Sequence, residues 1–200
     1  MTTKERILNE ALNLFSIKGY SSVSVRDIAY GIGIKESSLY NHYSNKQDIF
    51  NYLIIFCKEI VATQYGNLNL KNLISLNHIN SKQLLTDTLH SISITIYNLY
   101  TTNEHLRMFR QILTIEQYNN IELSRLYKEV FIDQAILYQT TLFSYLMDIG
   151  VITKGQPKAL ALEFYSPIFL LLCRYDSLDD EASRLLKIHI DHFIQKNTTI

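Results

Sequence analysis

A chain of 200 residues with 47% apolar and 19% charged residues can bury a sizeable core, and only 6 Gly and 2 Pro exclude collagen-like, Pro/Gly-rich and turn-rich all-β classes. Nineteen Lys and Arg balance nineteen Asp and Glu, so contact with a polyanion has to come from a local surface rather than from bulk charge. Two distant cysteines, Cys57 and Cys173, make neither a disulfide framework nor a zinc ribbon and read as small buried hydrophobes.

In chain order the pattern is helical nearly throughout. A capping box, Thr2 with Glu5, opens a first helix whose stripe is Ile7, Leu8, Ala11, Leu12, Leu14 and Phe15. Gly19 is expected to end it in the left-handed conformation. Ser24 with Asp27 opens a second, with Val25, Ile28, Ala29 and Ile32 inward; Gly31 and Gly33 break it. A third spans about residues 35–43, with Ile34, Leu39 and Tyr43 inward. Two overlapping caps, Ser44 with Gln47 and Asn45 with Asp48, start a long fourth helix to about residue 65. Residues 67–80 read as a connector or short helix. Further helices are expected at about 81–100, 103–118, 121–149 (one long helix ended by Gly150), 158–175 and 181–196. Pro157 suits a first helical turn, and Pro167 should kink the helix that contains it. The longest apolar run, residues 168–173, is far short of the roughly 20 a membrane span needs. With no secretory apolar core at the N-terminus, the expectation is a cytoplasmic protein without a membrane partner.

The stretch SVRDIAYGIGIKESSLYNHYSNK, residues 24–46, carries the chemistry. Two short helices around a Gly-containing turn, with a first helix covering their apolar backs, make helix-turn-helix geometry. A reading helix must fit a major groove about 12 Å wide and present polar side chains. Here Lys35, Glu36, Ser37, Ser38, Tyr40, Asn41 and His42 lie on its outer or flanking faces. Ser37 and Ser38 let the backbone approach, and the Asn41 amide suits adenine. Tyr40, Ser24 and Lys46 can donate to phosphates, and the free N–H groups beside Lys46 favour an anion.

Several elements together resemble the TetR family of bacterial transcriptional repressors: the first helix ending in Gly19-Tyr20, Ser-Val-Arg-Asp-Ile-Ala at 24–29, Gly33-Ile34, Leu-Tyr-Asn-His-Tyr at 39–43 and Asn-Lys-Gln-Asp-Ile at 45–49. The family often has Thr at the position of Ser24 and Phe at that of Tyr43. The resemblance implies an all-α fold: a three-helix helix-turn-helix DNA-binding domain at 1–47, then a helical-bundle domain at 48–200 that binds ligand and dimerises. It implies a ligand-responsive regulator, a repressor, that binds a near-palindromic operator as a homodimer and is released by a small-molecule effector, without catalysis or cofactor. By position, Ser24, Lys35, Ser37, Ser38, Tyr40, Asn41, His42 and Lys46 would line the DNA. Two residues depart from the pattern. Lys35 stands where the family usually has Ser and is a poor N-cap, and Glu36 on the DNA side repels phosphate unless it accepts from a cytosine amine. Residues 1–50 hold six basic and five acidic groups. That near-neutrality keeps open an alternative, a helical protein–protein adaptor that has lost DNA binding.

Ten of the fourteen tyrosines lie beyond residue 50. They either fill an irregular core or orient a ligand through their hydroxyls. The candidate effector pocket is Tyr100, Arg107, Phe109, Tyr138, Tyr165 and Phe169. Wide apolar faces on the last two helices suggest a two-fold interface of Leu160, Phe164, Ile168, Leu171, Leu185, Ile188, His189, His192 and Phe193. His189 and His192 lack partners at metal-ligand spacing, so no metal site is expected, and no nucleophile–base pair or phosphate cradle stands at an informative spacing.

Overall fold

The computed structural model describes residues 1–68 and 81–199. The described helices are α1 Thr3–Lys18, α2 Val25–Gly31, α3 Glu36–Leu39, α4 Lys46–Asn67, α5 Lys82–Thr101, α6 Glu104–Glu116, α7 Ile121–Lys128, α8 Gln134–Asp148, α9 Pro157–Arg174 and α10 Asp180–Asn197. A π turn, Glu129–Asp133, joins α7 to α8. Among the described residues the only β pairing is an isolated antiparallel bridge between Ile152 and Thr198, so the fold is all-α as the pattern requires. No described helix is long and apolar enough to cross a membrane.

The helix starts follow from side-chain capping. Thr2 with Glu5 and Ser24 with Asp27 each close a full capping box. Of the two options before α4 the chain uses the second: Asn45 Oδ1 accepts from the Asp48 amide at 2.8 Å, and Asp48 accepts from the Ser44 amide at 2.9 Å. Ser81 and Asp179 cap α5 and α10 through their side chains. Pro157 sits in the first turn of α9, and the helix runs on through Pro167.

Four expectations change. Gly19 has φ 79 but ψ 153, so it leaves α1 by an extended positive-φ path rather than in the left-handed helical region. The third helix is one α turn, Glu36–Leu39, instead of residues 35–43. The helix expected at 121–149 is interrupted by the π turn. The connector at 67–80 begins within α4 and from residue 69 lies outside the described residues.

The residues pack as two units, Met1–Ala62 with Glu104–Tyr127, and Thr63–Asn103 with Lys128–Ile200. In the first, Ile7, Ala11, Leu12 and Phe15 of α1 are buried, as are Ile28, Leu39, Ile49, Phe50 and Leu53. Phe15, Tyr20 and Phe50 form a ring cluster with centroids 4.7–5.9 Å apart. Helix α6 packs along α1 in the same unit. In the second unit α8 against α9 is the most extensive helix pair. Its centre is Phe143, Phe164 and Phe193, with centroids 4.8–5.4 Å apart. The Tyr97 hydroxyl there donates to the Leu171 carbonyl at 3.2 Å.

Candidate nucleic-acid interface

The turn between α2 and α3 is a Schellman motif. The Ile34 amide donates to the Ala29 carbonyl at 3.0 Å and the Gly33 amide to that of Tyr30 at 3.1 Å. It requires positive φ at the residue just past the helix cap, and Gly33 supplies φ 72. The turn sets the angle at which α3 leaves α2.

Helix α3 is short for local reasons. Its N-cap Lys35 makes no side-chain cap bond. After Leu39 comes Tyr-Asn-His-Tyr, a run of weak helix formers. The chain tightens there: the Asn41 and His42 amides donate to Ser38 and Leu39, three residues back, at 3.3 and 2.9 Å. The rod that presents side chains is therefore one α turn extended by a tighter one. Leu39 and Tyr43 anchor it from below, both buried. Lys35, Ser37, Tyr40, Asn41 and His42 are exposed on the other side, and Ser38 is half-buried. The buried Tyr43 hydroxyl finds no partner, and burial raises its pKa. Its ring takes the edge of Tyr52 at 5.3 Å, with the Lys4 ammonium 4.1 Å from the Tyr52 centroid.

Two of the expected phosphate donors are already engaged. Ser24 is exposed, but its hydroxyl donates to Asp27 at 2.6 Å and accepts from the Asp27 amide at 3.1 Å. The Ser24 hydroxyl and the Ser24 amide, which donates to the same carboxylate at 2.7 Å, hold the Asp27 carboxyl below its ordinary range. Lys46 donates to the carbonyls of Tyr20 and Val23, each at 2.9 Å, and lies 4.3 Å over the Tyr20 ring. With two of its three protons committed, Lys46 ties the α1–α2 loop to the start of α4 and leaves one donor for a phosphate.

Sequence reasoning missed two residues, Arg26 and Glu116. The Glu36 carboxylate meets Arg26 Nε at 3.3 Å and faces the Tyr40 hydroxyl at 3.5 Å. Arg26 is thus the partner that neutralises it. The second is Glu116, a buried carboxylate of α6 that accepts from the Tyr20 amide at 2.8 Å. Tyr20 in turn donates its hydroxyl to Gln47 at 2.9 Å. No spacing signals a contact 96 residues apart along the chain.

The pattern described as bacterial regulatory proteins, tetR family, matches residues 7–53, which covers most of α1, all of α2 and α3, and the start of α4. Over those residues the chain is similar to the TetR family. The chain is 43% identical over 61 residues to the biofilm operon icaADBC negative transcriptional regulator IcaR of Staphylococcus epidermidis. That match takes in 26% of this chain and spans about a third, 33%, of the relative's length. The whole fold is similar to a TetR-family transcriptional regulator from Mesorhizobium loti, at TM-score 0.68 and 17% identity over 98% of this chain and 96% of that one. It is also similar to SmeT in complex with triclosan, at TM-score 0.67 and 18% identity over 100% and 93% of the two chains. SmeT is the repressor of a Stenotrophomonas maltophilia multidrug efflux pump.

The six candidate pocket residues divide. Tyr100, Tyr138, Tyr165 and Phe169 belong to the second unit, whereas Arg107 and Phe109 pack in the first with the head, because 104–127 folds back onto it. The Tyr100 and Tyr165 hydroxyls donate to main-chain carbonyls of the π turn, and that of Tyr138 donates to the Leu68 carbonyl at 3.1 Å. Tyr65 meets Tyr138 with centroids 5.7 Å apart, and burial pushes the Tyr65 phenol up to about 12.

The candidate interface divides too. Phe164, Ile168, Leu171 and Phe193 are buried inside the chain, so they are core. Leu160, Leu185 and His189 are half-buried. His189 is turned inward, its Nε2 2.8 Å from the Phe164 carbonyl. Only Ile188 and His192 of that set are exposed. The stripe that α9 leaves open is Leu162 and Leu170, 48% and 64% exposed, and Ile188 of α10 is 52% exposed. Cys57 is buried, its thiol pushed up to about 12 by burial, but Cys173 is exposed on α9 rather than buried as expected.

Proposed function

We propose that this protein is a ligand-responsive transcriptional repressor that binds a near-palindromic operator as a homodimer. In this reading residues 1–47 read DNA, and residues 48–200 bind the effector and dimerise. The observation that carries it is the two-sided rod after Gly33: Leu39 and Tyr43 buried below, Lys35, Ser37, Tyr40, Asn41 and His42 exposed above. Small Ser37 lets the backbone approach, the Asn41 amide matches an adenine edge, and Tyr40 and Lys35 reach for phosphates. Two copies read half-sites about one helical turn or a somewhat larger spacing apart. The effector site lies among Tyr100, Tyr138, Tyr165 and Phe169. Effector binding lowers operator affinity by favouring one conformation of the dimer over the other, and a difference of about 1–3 kcal/mol is enough for a 5–150-fold change.

The test is selection of duplexes from a random library by the purified full chain, followed by titration at several salt concentrations. A palindromic duplex bound with salt-sensitive affinity is expected. Asn41→Ala should cost about 1–3 kcal/mol and relax the base preference at one position of each half-site, with folding unchanged. A protein that enriches no duplex and binds none in a salt-dependent way is an adaptor instead, and the regulator reading fails.

A further inference from the structure

We propose that Tyr100 and Tyr165 are positioning residues that hold a π turn in the path from α7 to α8, and that this turn sets the register the head receives. The inference rests on the regulator reading and names the element through which the effector site acts. Between Ile121 and Asp148 the chain is α-helical on both sides of the π turn Glu129–Asp133. The Gln134 amide donates to the Glu129 carbonyl, five residues back. An α-helix would give that donor to Val130. The Tyr100 hydroxyl of α5 supplies a replacement, donating to the Val130 carbonyl at 3.0 Å. One residue on, the Tyr165 hydroxyl of α9 donates to the Phe131 carbonyl at 2.6 Å. Tyr100, Tyr165, Val130 and Phe131 are all buried, so the hydroxyls stand where water cannot serve the carbonyls. The Tyr100 ring also packs edge-on against Phe131, with centroids 5.1 Å apart.

Local sequence does not impose the turn. Glu-Val-Phe-Ile-Asp contains no Pro or Gly, the common causes of a helix irregularity. What favours it is the pair of hydroxyls from neighbouring helices. A π turn carries one residue more than an α path of the same length, and one residue is about 100° of rotation and about 1.5 Å of rise. Losing the clamp therefore changes register in a discrete step. The chain passes between the packing units at Tyr127 and Lys128, immediately before the turn. The residues upstream, in α7, pack with the head. A ligand that draws the Tyr100 or Tyr165 hydroxyl away from its carbonyl would release that step.

The experiment uses the full chain and the duplex it selects from a random library. In the wild type, hydrogen exchange at the amides of 129–134 is measured with and without that duplex. Coupling is reciprocal, so binding the duplex must change protection there, and unchanged protection overturns the inference. Tyr100→Phe and Tyr165→Phe are then titrated with the same duplex. Each should lower affinity about 5–150-fold with the sedimentation mass unchanged, and affinity within twofold of the wild type overturns it. If either variant fails to fold, the wild-type exchange measurement decides alone. A wild type that binds no duplex overturns the regulator reading and this inference together, an outcome distinct from either of the others.

Discussion

Glu36 shows how a single residue can be misjudged from its place in a pattern. On the outer face of a helix proposed to read DNA, a carboxylate would face a polyanion and should be costly. The structure instead pairs it with Arg26 at 3.3 Å, across the α2–α3 turn. Arg26 is 83% exposed, so the pair contributes only about 0–1 kcal/mol to stability. Its effect is on charge: the Arg26 guanidinium is occupied and the Glu36 charge is masked. Replacing Glu36 with Gln keeps the shape, removes one like charge and frees Arg26 for a phosphate. We expect tighter binding of non-specific duplex and a salt dependence steeper by about one phosphate contact, with the melting temperature nearly unchanged. Titration of a random-sequence duplex at several salt concentrations checks this. An unaltered slope would place Arg26 and Glu36 away from the backbone.

At the scale of elements, what the sequence told depended on whether the cause was local. Caps at Thr2, Ser24 and Asn45 are short-range hydrogen bonds between residues three apart, and each forms as spacing suggests. The Gly33 turn is equally local. The π turn is not, because the hydroxyls that favour it come from Tyr100 and Tyr165, on helices 30 and 34 residues away along the chain. The return of 104–127 to the head depends on contacts such as Glu116 to Tyr20, which periodicity cannot register. The α9–α10 pair illustrates the remaining ambiguity. An apolar stripe does not say which partner covers it, and α8 takes Phe164 and Phe193 from the face expected to dimerise. His189 locks that pair by facing the Phe164 carbonyl at 2.8 Å. Burial lowers its pKa from 6.5, against the raising influence of that carbonyl and of Glu163. Below pH 6.5 the unfolded chain takes up a proton that the folded chain still refuses. Stability from this group is full above that value and falls as the pH drops toward the depressed folded pKa. Unfolding by urea between about pH 5 and pH 7.5 should show this slope, and His189→Gln should flatten it relative to the wild type. Equal slopes in both proteins would mean that His189 is free to protonate in the folded state.

For the whole molecule the question is what covers Leu162, Leu170 and Ile188. Each is about half exposed or more, and Leu162 and Leu170 lie eight residues apart on α9, near the same face. Scattered exposed leucines need no explanation, but two on one helical stripe suit an isologous contact in which the stripe meets its own copy. Such a contact sets the distance between two reading heads, which a single chain cannot do. Replacing both Leu162 and Leu170 with Arg puts four like charges into that contact and leaves the buried Phe164 and Phe193 untouched. The wild type should sediment at about twice 23.3 kDa and the double variant near 23.3 kDa, with helix content preserved. Loss of the linked second head should lower affinity for the palindromic duplex by about 10²-fold or more. Affinity for a single half-site should stay within the error of the wild type, because the rod that reads it is built within one chain. A double variant that still dimerises and binds the palindrome as before would move the interface elsewhere on the surface. A monomer that keeps full palindrome affinity would instead remove dimer geometry from the mechanism and leave recognition to one head alone.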